Sequence, residues 1–297
     1  MPTARTEHHQ HVRFHFISPT FNSAATLDEM LRSVYRQNAA MNGELVSINL
    51  IDGGSTDGTP EIAQSWQRRF EERSHALDTT LDFSFRSEPD EGLYDAMNKG
   101  VRAVLETADA QDLIAILGSD DWYSDDALQL VATVAAEHPD VSLFYGAAEF
   151  ATPAAEPTGR YYPVQTDLCP RSFAGDMPLS HPATFIRAGV YRAYGLYDTR
   201  YRIAADYDLL YRFIRAGVSS HSIPEVLVFM REGGVSTDPA FEIMSYKECI
   251  AVRIAAGARP FSEWLRYYRK RLNGRLYRGA SHLPGVKAAY ERYREHR

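Results

Sequence analysis

Between Val12 and Ala147 five short apolar runs alternate with four stretches of helical periodicity, and few folds satisfy such a pattern. Val12–Ser18 reads as a strand that ends at Pro19. Thr26 and Glu29 have capping-box spacing, and Leu27, Met30, Leu31, Val34 and Tyr35 share one face of the helix they open. Leu45–Ile51 is a second strand, followed by a Gly-rich turn. Thr59-Pro60 then offers an N-cap and a proline at the first helical position, with Ile62, Trp66 and Phe70 turned inward. Leu81–Ser87, Asp112–Leu117 and Val141–Ala147 are further strands, separated by a helix at Leu93–Leu105 and another capped by Ser124. Asp112–Leu117 is almost wholly apolar, as a strand buried on both faces should be. The alternation predicts an α/β protein with a Rossmann-like, mostly parallel central sheet flanked by helices. Its ligands should bind at the carboxyl ends of the strands.

Beyond that block the pattern loosens. Ala151–Gly159 carries two prolines and few core residues, which predicts a loop, and residues 160–240 mix short strands and helices. After Pro260, the residues Phe261, Trp264, Leu265, Tyr268 and Leu272 form an apolar stripe on a basic helix, a C-terminal helical extension. Hydrophobic residues make up 44% of the 297 and charged ones 24%, a composition that excludes intrinsic disorder. No apolar run approaches the roughly 20 residues that span a bilayer. The opening MPTARTEHHQH lacks the apolar segment of a secretory signal. Cys169 and Cys249 cannot build a disulfide framework or a four-ligand zinc site, so they predict a reducing, cytoplasmic setting. Net charge is −7 overall and +8 over residues 259–297, which leaves −15 on the rest. So acidic a body excludes nonspecific nucleic-acid binding, which needs phosphate-neutralising cations.

The residues that follow the strands are unusually polar. Ser18-Pro19-Thr20-Phe21-Asn22 follows the first strand and Asp52-Gly53-Gly54-Ser55-Thr56-Asp57-Gly58-Thr59 the second. Ser87-Glu88-Pro89-Asp90-Glu91-Gly92 runs into the third helix, and Gly118-Ser119-Asp120-Asp121 follows the fourth strand. Carboxylates gathered on one edge repel each other unless a cation or hydrogen-bond donors sit between them. Taken singly, each segment has a plainer reading. DGGSTDGT can be a tight turn and helix cap, Asp120-Asp121 the start of a loop, and Lys99 a solvated helix residue.

Together, and in this order, the segments resemble the family 2 glycosyltransferases with the GT-A fold, which assemble O-antigen and other bacterial surface polysaccharides. The resemblance spans residues 13–235 and rests on SPTFN at 18–22, DGGSTDGT at 52–59, SEPDEGLYDAMNKG at 87–100, LGSDDWY at 117–123, SHPATFIR at 180–187 and AADYDLLYR at 204–212. It implies a nucleotide-sugar-binding half at 12–122, an acceptor-side half at 123–240 and a basic helical tail at 241–297. It implies transfer from a nucleotide-sugar, a UDP-sugar, to a saccharide acceptor that is lipid-linked in such pathways. A Mg²⁺ or Mn²⁺ ion would stabilise the departing diphosphate. Asp120 aligns with the acidic metal motif and Asp121 supports it, while Gly118 stands where the family has its first acid. Asp52 resembles a nucleobase-reading carboxylate, Pro19, Thr20 and Asn22 would line the same pocket, and Asp90, Asn98 and Lys99 resemble donor-pocket residues. His181 is either a contact to metal or diphosphate or a structural histidine.

Inversion at the sugar carbon needs one base to take the acceptor hydroxyl's proton. The family's acidic position for this falls on Asp206, with Ala205 in place of the usual preceding Glu and Asp208 as the alternative. The departures at Gly118 and Ala205 keep a second function in view, a catalytically inert nucleotide-sugar-binding module. A dinucleotide oxidoreductase is excluded, since SPTFNSA lacks GxGxxG. The stripe, with Arg266, Arg269, Lys270 and Arg271 beside it, suits a peripheral helix on the inner face of the membrane. Packing on the catalytic domain or joining subunits of a homo-oligomer suits it equally.

Overall fold

Each of the five apolar runs forms a strand in the computed structural model, which describes residues 12–40, 46–77, 81–162, 164–233 and 239–280. β1 (Phe14–Thr20), β2 (Val46–Asp52), β3 (Leu81–Ser87) and β4 (Leu113–Ile116) pair in parallel in the order β3-β2-β1-β4. The crossovers are α1 (Leu27–Ala40), α2 (Thr59–Leu77) and α3 (Leu93–Leu105), which parallel pairing requires and which leave four carboxyl ends on one edge. Then follow β5 (Trp122–Tyr123), α4 (Ala127–Glu137), β6 (Leu143–Ala151), β7 (Pro157–Tyr162), β8 (Thr184–Arg187), α5 (Ala188–Tyr194), α6 (Ala205–Arg215) and β9 (Ser220–Arg231). The sheet continues β4-β8-β6-β9-β5, with β7 on β6. β8 runs antiparallel to β4, so the loop before β8 opens on the edge where β4 ends.

Two-residue periodicity splits β1 between two layers. Phe14 and Phe16 join Ile48 and Leu50 of β2, Leu27, Met30, Leu31 and Val34 of α1, and Trp66 and Phe70 of α2 in the main core. Each such side chain, sealed from water, contributes about 1.5–3 kcal/mol. Ile17 faces the other way, towards α3. That helix comes so close that a Cβ on Gly100 would stand 2.3 Å from Cγ2 of Ile17 and 3.3 Å from Cγ1 of Ile51.

Several element ends differ from the sequence reading, each for a tertiary reason. β1 runs through Pro19 to Thr20, in register with Ile51 and Asp52. The β4 side of the ladder has already ended at Ile17, so the missing N–H of Pro19 costs no bond. Glu29 closes no capping box; its carboxylate pairs with Arg231, and Thr26 Oγ1 donates to the Ser23 carbonyl. Ser124 does not cap α4 with its hydroxyl, which donates to the Val226 carbonyl at 2.7 Å. The expected loop at Ala151–Gly159 is the turn of a hairpin, because β6 extends to Ala151 and β7 returns from Pro157.

Contacts divide the chain into Met1–Ser245 and Tyr246–Arg297. The first unit holds the sheet and α1–α6. The second holds α8 (Pro260–Ala280) and the part of α7 (Pro239–Ala255) from Tyr246 on. Within it, Arg253 and Glu263 form a buried ion pair at 2.8 Å. Among the described residues, no helix is long and apolar enough to cross a membrane.

Candidate active site

The loops leaving β1, β2 and β4 are stitched to one another by their own polar side chains. Asn22, held at φ 49°, donates its N–H to Ser55 Oγ (2.7 Å) and accepts from Thr56 N–H on Oδ1 (3.0 Å). Ser23 N–H donates to Thr59 Oγ1 (2.8 Å), and Ser23 Oγ bonds Ser119 Oγ (2.7 Å), which draws the loop after β4 to the loop after β1. Asp57 accepts from Ala24 and Thr59, and the Thr59 bond leads in holding its carboxyl below the ordinary value.

Beneath these loops Asp52 is fully buried. Its Oδ2 accepts from Gly54 N–H (3.2 Å), Ser55 N–H (3.0 Å) and Ser87 Oγ (2.6 Å). Its Oδ1 accepts from Ser55 Oγ (2.5 Å) and Thr20 Oγ1 (3.5 Å). These bonds tie the carboxylate to the turn and hold it in place beneath the loops. Pro19 and Thr20 are buried with it and form the floor. Above lies Asp90, whose Oδ1 accepts from Gly92 N–H (2.9 Å) and whose Oδ2 would stand 2.6 Å from a Cβ on Gly53. Beside Gly53 is Phe21, 63% exposed, which sequence reasoning missed although it stands inside SPTFN.

At the end of β4, Gly118 makes room for two acids. A Cβ there would meet Asp120 Oδ1 at 2.8 Å and Asp121 Oδ2 at 3.1 Å, so both carboxylates converge over one backbone position. Burial raises both carboxyls, and the charge of Asp120 adds to the rise at Asp121, which lies well above the ordinary value. Arg231, at the end of β9, partly offsets this. Its N–H donates to Asp121 Oδ1 (3.1 Å) and its Nε to the Asp120 carbonyl (3.2 Å). The guanidinium also pairs with Glu29 and lies 5.1 Å over the Trp122 ring. No sequence pattern pointed to Arg231, because its partners Glu29, Asp120 to Trp122 and Pro153 come from three separate segments. Two hard oxygen donors held close together and away from water fit a divalent ion of the Mg²⁺ or Mn²⁺ class, which commonly takes one or two carboxylates and leaves its other positions to phosphate and water. Among the described residues no three His, Cys, Asp or Glu side chains are grouped so as to hold a metal ion.

His181 belongs to a different cluster. Its Nε2 bonds Tyr197 Oη at 2.9 Å, and burial holds its pKa below the ordinary value despite the charge of Asp206. Tyr197 stacks on Tyr94, with centroids 5.8 Å apart. Tyr94 Oη reaches both the Ile203 carbonyl (2.6 Å) and Asp206 Oδ1 (3.1 Å). Asp206 stands in the first turn of α6, where the helix dipole favours its charge, and its Oδ1 also accepts from Tyr207 N–H (2.8 Å). Asp208 is taken by Arg212 at 2.7 Å, which leaves Asp206 as the acid turned to the α3 side. Asn98 ties α3 to Tyr197. It is buried, and its amide holds Tyr197 at both ends, Nδ2 donating to the carbonyl (2.9 Å) and Oδ1 accepting from the N–H (3.0 Å). Lys99 donates to the Pro89 carbonyl (2.9 Å) and pairs with Glu88 and Asp95, so it clamps the loop after β3.

Comparison with known proteins bears on the family and the fold. The sequence model described as Glycosyl transferase family 2 matches residues 16–192. The PGL/p-HBAD biosynthesis glycosyltransferase of Mycobacterium bovis is 35% identical over 196 residues, 66% of this chain and 67% of that protein, and a namesake from Mycobacterium tuberculosis matches equally. Among solved structures, S. aureus TarS 1–349 in complex with UDP-GlcNAc superposes with a TM-score of 0.54 at 14% identity, over 85% of this chain and 69% of that one. This chain spans 41% of the longer TarS chain. GalNAc-T7 with UDP, GalNAc and Mn²⁺ superposes with a TM-score of 0.56 at 14% identity, over 82% of this chain and 48% of that one. At such identities the likeness establishes the fold, that of the GT-A glycosyltransferases.

Proposed function

The chain belongs to glycosyl transferase family 2, and from that premise we propose that it is an inverting, metal-dependent enzyme. It moves a hexosyl or N-acetylhexosaminyl group from a UDP-sugar to a saccharide hydroxyl. The observation that carries this reading is the convergence of Asp120 and Asp121 over Gly118 at the carboxyl edge of the sheet. Asp120 and Asp121 would hold Mg²⁺ or Mn²⁺, which supplies positive charge to the departing diphosphate. TarS with UDP-GlcNAc and GalNAc-T7 with UDP and Mn²⁺, both of this fold, support the choice of donor and ion.

The loops over Asp52 receive the nucleotide. Phe21 offers an exposed ring face to a flat base, and Asp90 offers a carboxylate oxygen beside it. Pro19, Thr20, Asn22 and Asp52 keep that surface rigid, and Lys99 and Asn98 hold the walls behind it. Asp206 takes the proton of the acceptor hydroxyl as its oxygen attacks the anomeric carbon opposite the departing diphosphate. The Tyr207 N–H and the Tyr94 hydroxyl, whose single proton Oδ1 shares with the Ile203 carbonyl, orient that carboxylate before the acceptor arrives. The neutral His181, bonded to Tyr197, lines the acceptor side. The acceptor is a lipid-linked saccharide at the cytoplasmic side of a membrane, in surface-polysaccharide assembly. The biosynthetic naming of the mycobacterial relatives supports a synthetic role.

The test is turnover with UDP-, GDP- and dTDP-sugars, with and without Mn²⁺, alongside thermal-shift binding. UDP-sugar with Mn²⁺ should give the largest stabilisation, and Asp120→Asn should lower transfer by about a hundredfold or more in a folded protein. Full activity after EDTA treatment would remove the metal from this reading. Binding without turnover on any acceptor would make the chain an inert nucleotide-sugar-binding module.

A further inference from the structure

α8 wears its apolar stripe on the outside. Two residues one turn apart are buried, Glu263 at 4% and Tyr267 at 7% exposure. Glu263 pairs with Arg253 of α7, and the Tyr267 ring lies 5.3 Å from that of Tyr246. On the opposite face Phe261, Trp264, Leu265, Tyr268 and Leu272 are 80%, 36%, 48%, 61% and 57% exposed. At about 100° per residue these five fall within an arc of roughly 100°, centred about 130° away from Glu263 and Tyr267. An amphipathic helix in a soluble protein ordinarily buries such a stripe. This one turns Glu263 and Tyr267 to its neighbour and presents the stripe to solvent.

The charge around the stripe identifies what covers it. The sequence of α8 holds six Lys or Arg and one acid, Glu263, already paired with Arg253 and Arg266. Arg266 and Arg269 are exposed. Two copies pairing through this face would bring like charge against like charge, a penalty that a symmetric contact cannot escape. A negatively charged lipid surface complements both features at once, with aromatic and aliphatic groups at the acyl boundary and cations among the head groups. We propose that the Phe261–Leu272 face of α8 docks on an anionic lipid bilayer surface. The proposal goes beyond the proposed reaction and stands on α8 alone.

Flotation of the full chain with vesicles tests it, using phosphatidylcholine alone or mixed with phosphatidylglycerol, at low and high salt. The anionic vesicles should bind at least about tenfold more tightly, and high salt should remove most of that gain. The triple variant Phe261→Ser, Leu265→Ser, Leu272→Ser should lose binding by at least about tenfold, with melting temperature and UDP-sugar binding unchanged, since these side chains face solvent. Arg269→Glu should weaken binding to anionic vesicles alone, and it decides the matter if the triple variant unfolds. Equal binding to both vesicle types, a triple variant that floats like the native chain, or a dimer in light scattering that the triple variant dissolves without any vesicle binding would each overturn the proposal. UDP-sugar binding in the same preparations keeps failure of the proposed reaction distinct from failure of docking.

Discussion

A carboxylate taken out of water must find donors or a cation, and the acids of this site do so in four ways. Asp52 takes donors from Thr20, Gly54, Ser55 and Ser87 and becomes part of the framework. Asp208 takes one guanidinium. Asp120 and Asp121 are left crowded together and partly offset by Arg231, and Asp206 is steered by Tyr94 and Tyr207 while staying half-buried. Asp206→Asn should therefore keep UDP-sugar binding and lower turnover by about 10²–10⁴-fold, measured by product release under saturating donor. Weak donor binding in a folded variant would place Asp206 on the donor instead. Tyr94→Phe removes one of the two steering donors, a bond worth about 1 kcal/mol, so kcat should fall about five- to tenfold with the donor KM nearly unchanged. A raised donor KM with kcat intact would assign Tyr94 to the donor pocket. Asp120 was a candidate from its place after a strand, and Asp206 from the resemblance that AADYDLLYR carries. Tyr94 and Arg231 were not, since their partners lie far away in sequence and no local pattern records them.

Elements were legible where their cause is local. Apolar periodicity located the strands and helices up to β6, because burial on one or both faces is written into every second or every third and fourth residue. Ends were misplaced where a distant partner decides them, as at Ser124, whose hydroxyl serves Val226, or at Glu29, drawn to Arg231. The antiparallel run of β7 and β8 was invisible for the same reason, since its pairing is set by β4 and β6. α3 shows how the element scale overrules intrinsic preference. Replacing Gly100 by Ala would raise helix propensity by about 1 kcal/mol. The new Cβ would stand 2.3 Å from a methyl of the fully buried, β-branched Ile17, and such overpacking costs about 1–3 kcal/mol. Gly100→Ala should therefore leave the protein no more stable, and up to about 2 kcal/mol less so, by urea denaturation. A clear gain in stability would mean that Ile17 turns aside freely.

For the molecule as a whole, charge segregation was plain in the sequence, whereas the direction in which the α8 stripe faces needed the packing of Glu263 and Tyr267 to decide it. Buried phenols are a second property of the whole that no motif announces. Burial pushes Tyr145 and Tyr191 up to about 12, and Tyr123 and Tyr197 well above the ordinary tyrosine value. An unfolded chain ionises these four phenols near pH 10, whereas the fold keeps them protonated, so the stability they carry is full below about pH 10 and drains away as pH climbs towards 12. For the sealed Tyr191 alone the loss approaches about 2–3 kcal/mol, a large share of a typical total of roughly 5–15 kcal/mol. Alkaline titration should accordingly show a late step in phenolate absorbance that coincides with loss of circular dichroism. A smooth titration centred near pH 10 in a still-folded protein would show instead that water reaches these rings. Tyr123 sharpens the test, because its buried hydroxyl finds no hydrogen-bond partner among the described residues. Removing an unsatisfied hydroxyl while keeping the ring relieves a desolvation cost of about 1–3 kcal/mol. Tyr123→Phe should thus raise the urea midpoint at neutral pH and soften the alkaline transition, whereas a lowered midpoint would mean that this hydroxyl is bonded in solution.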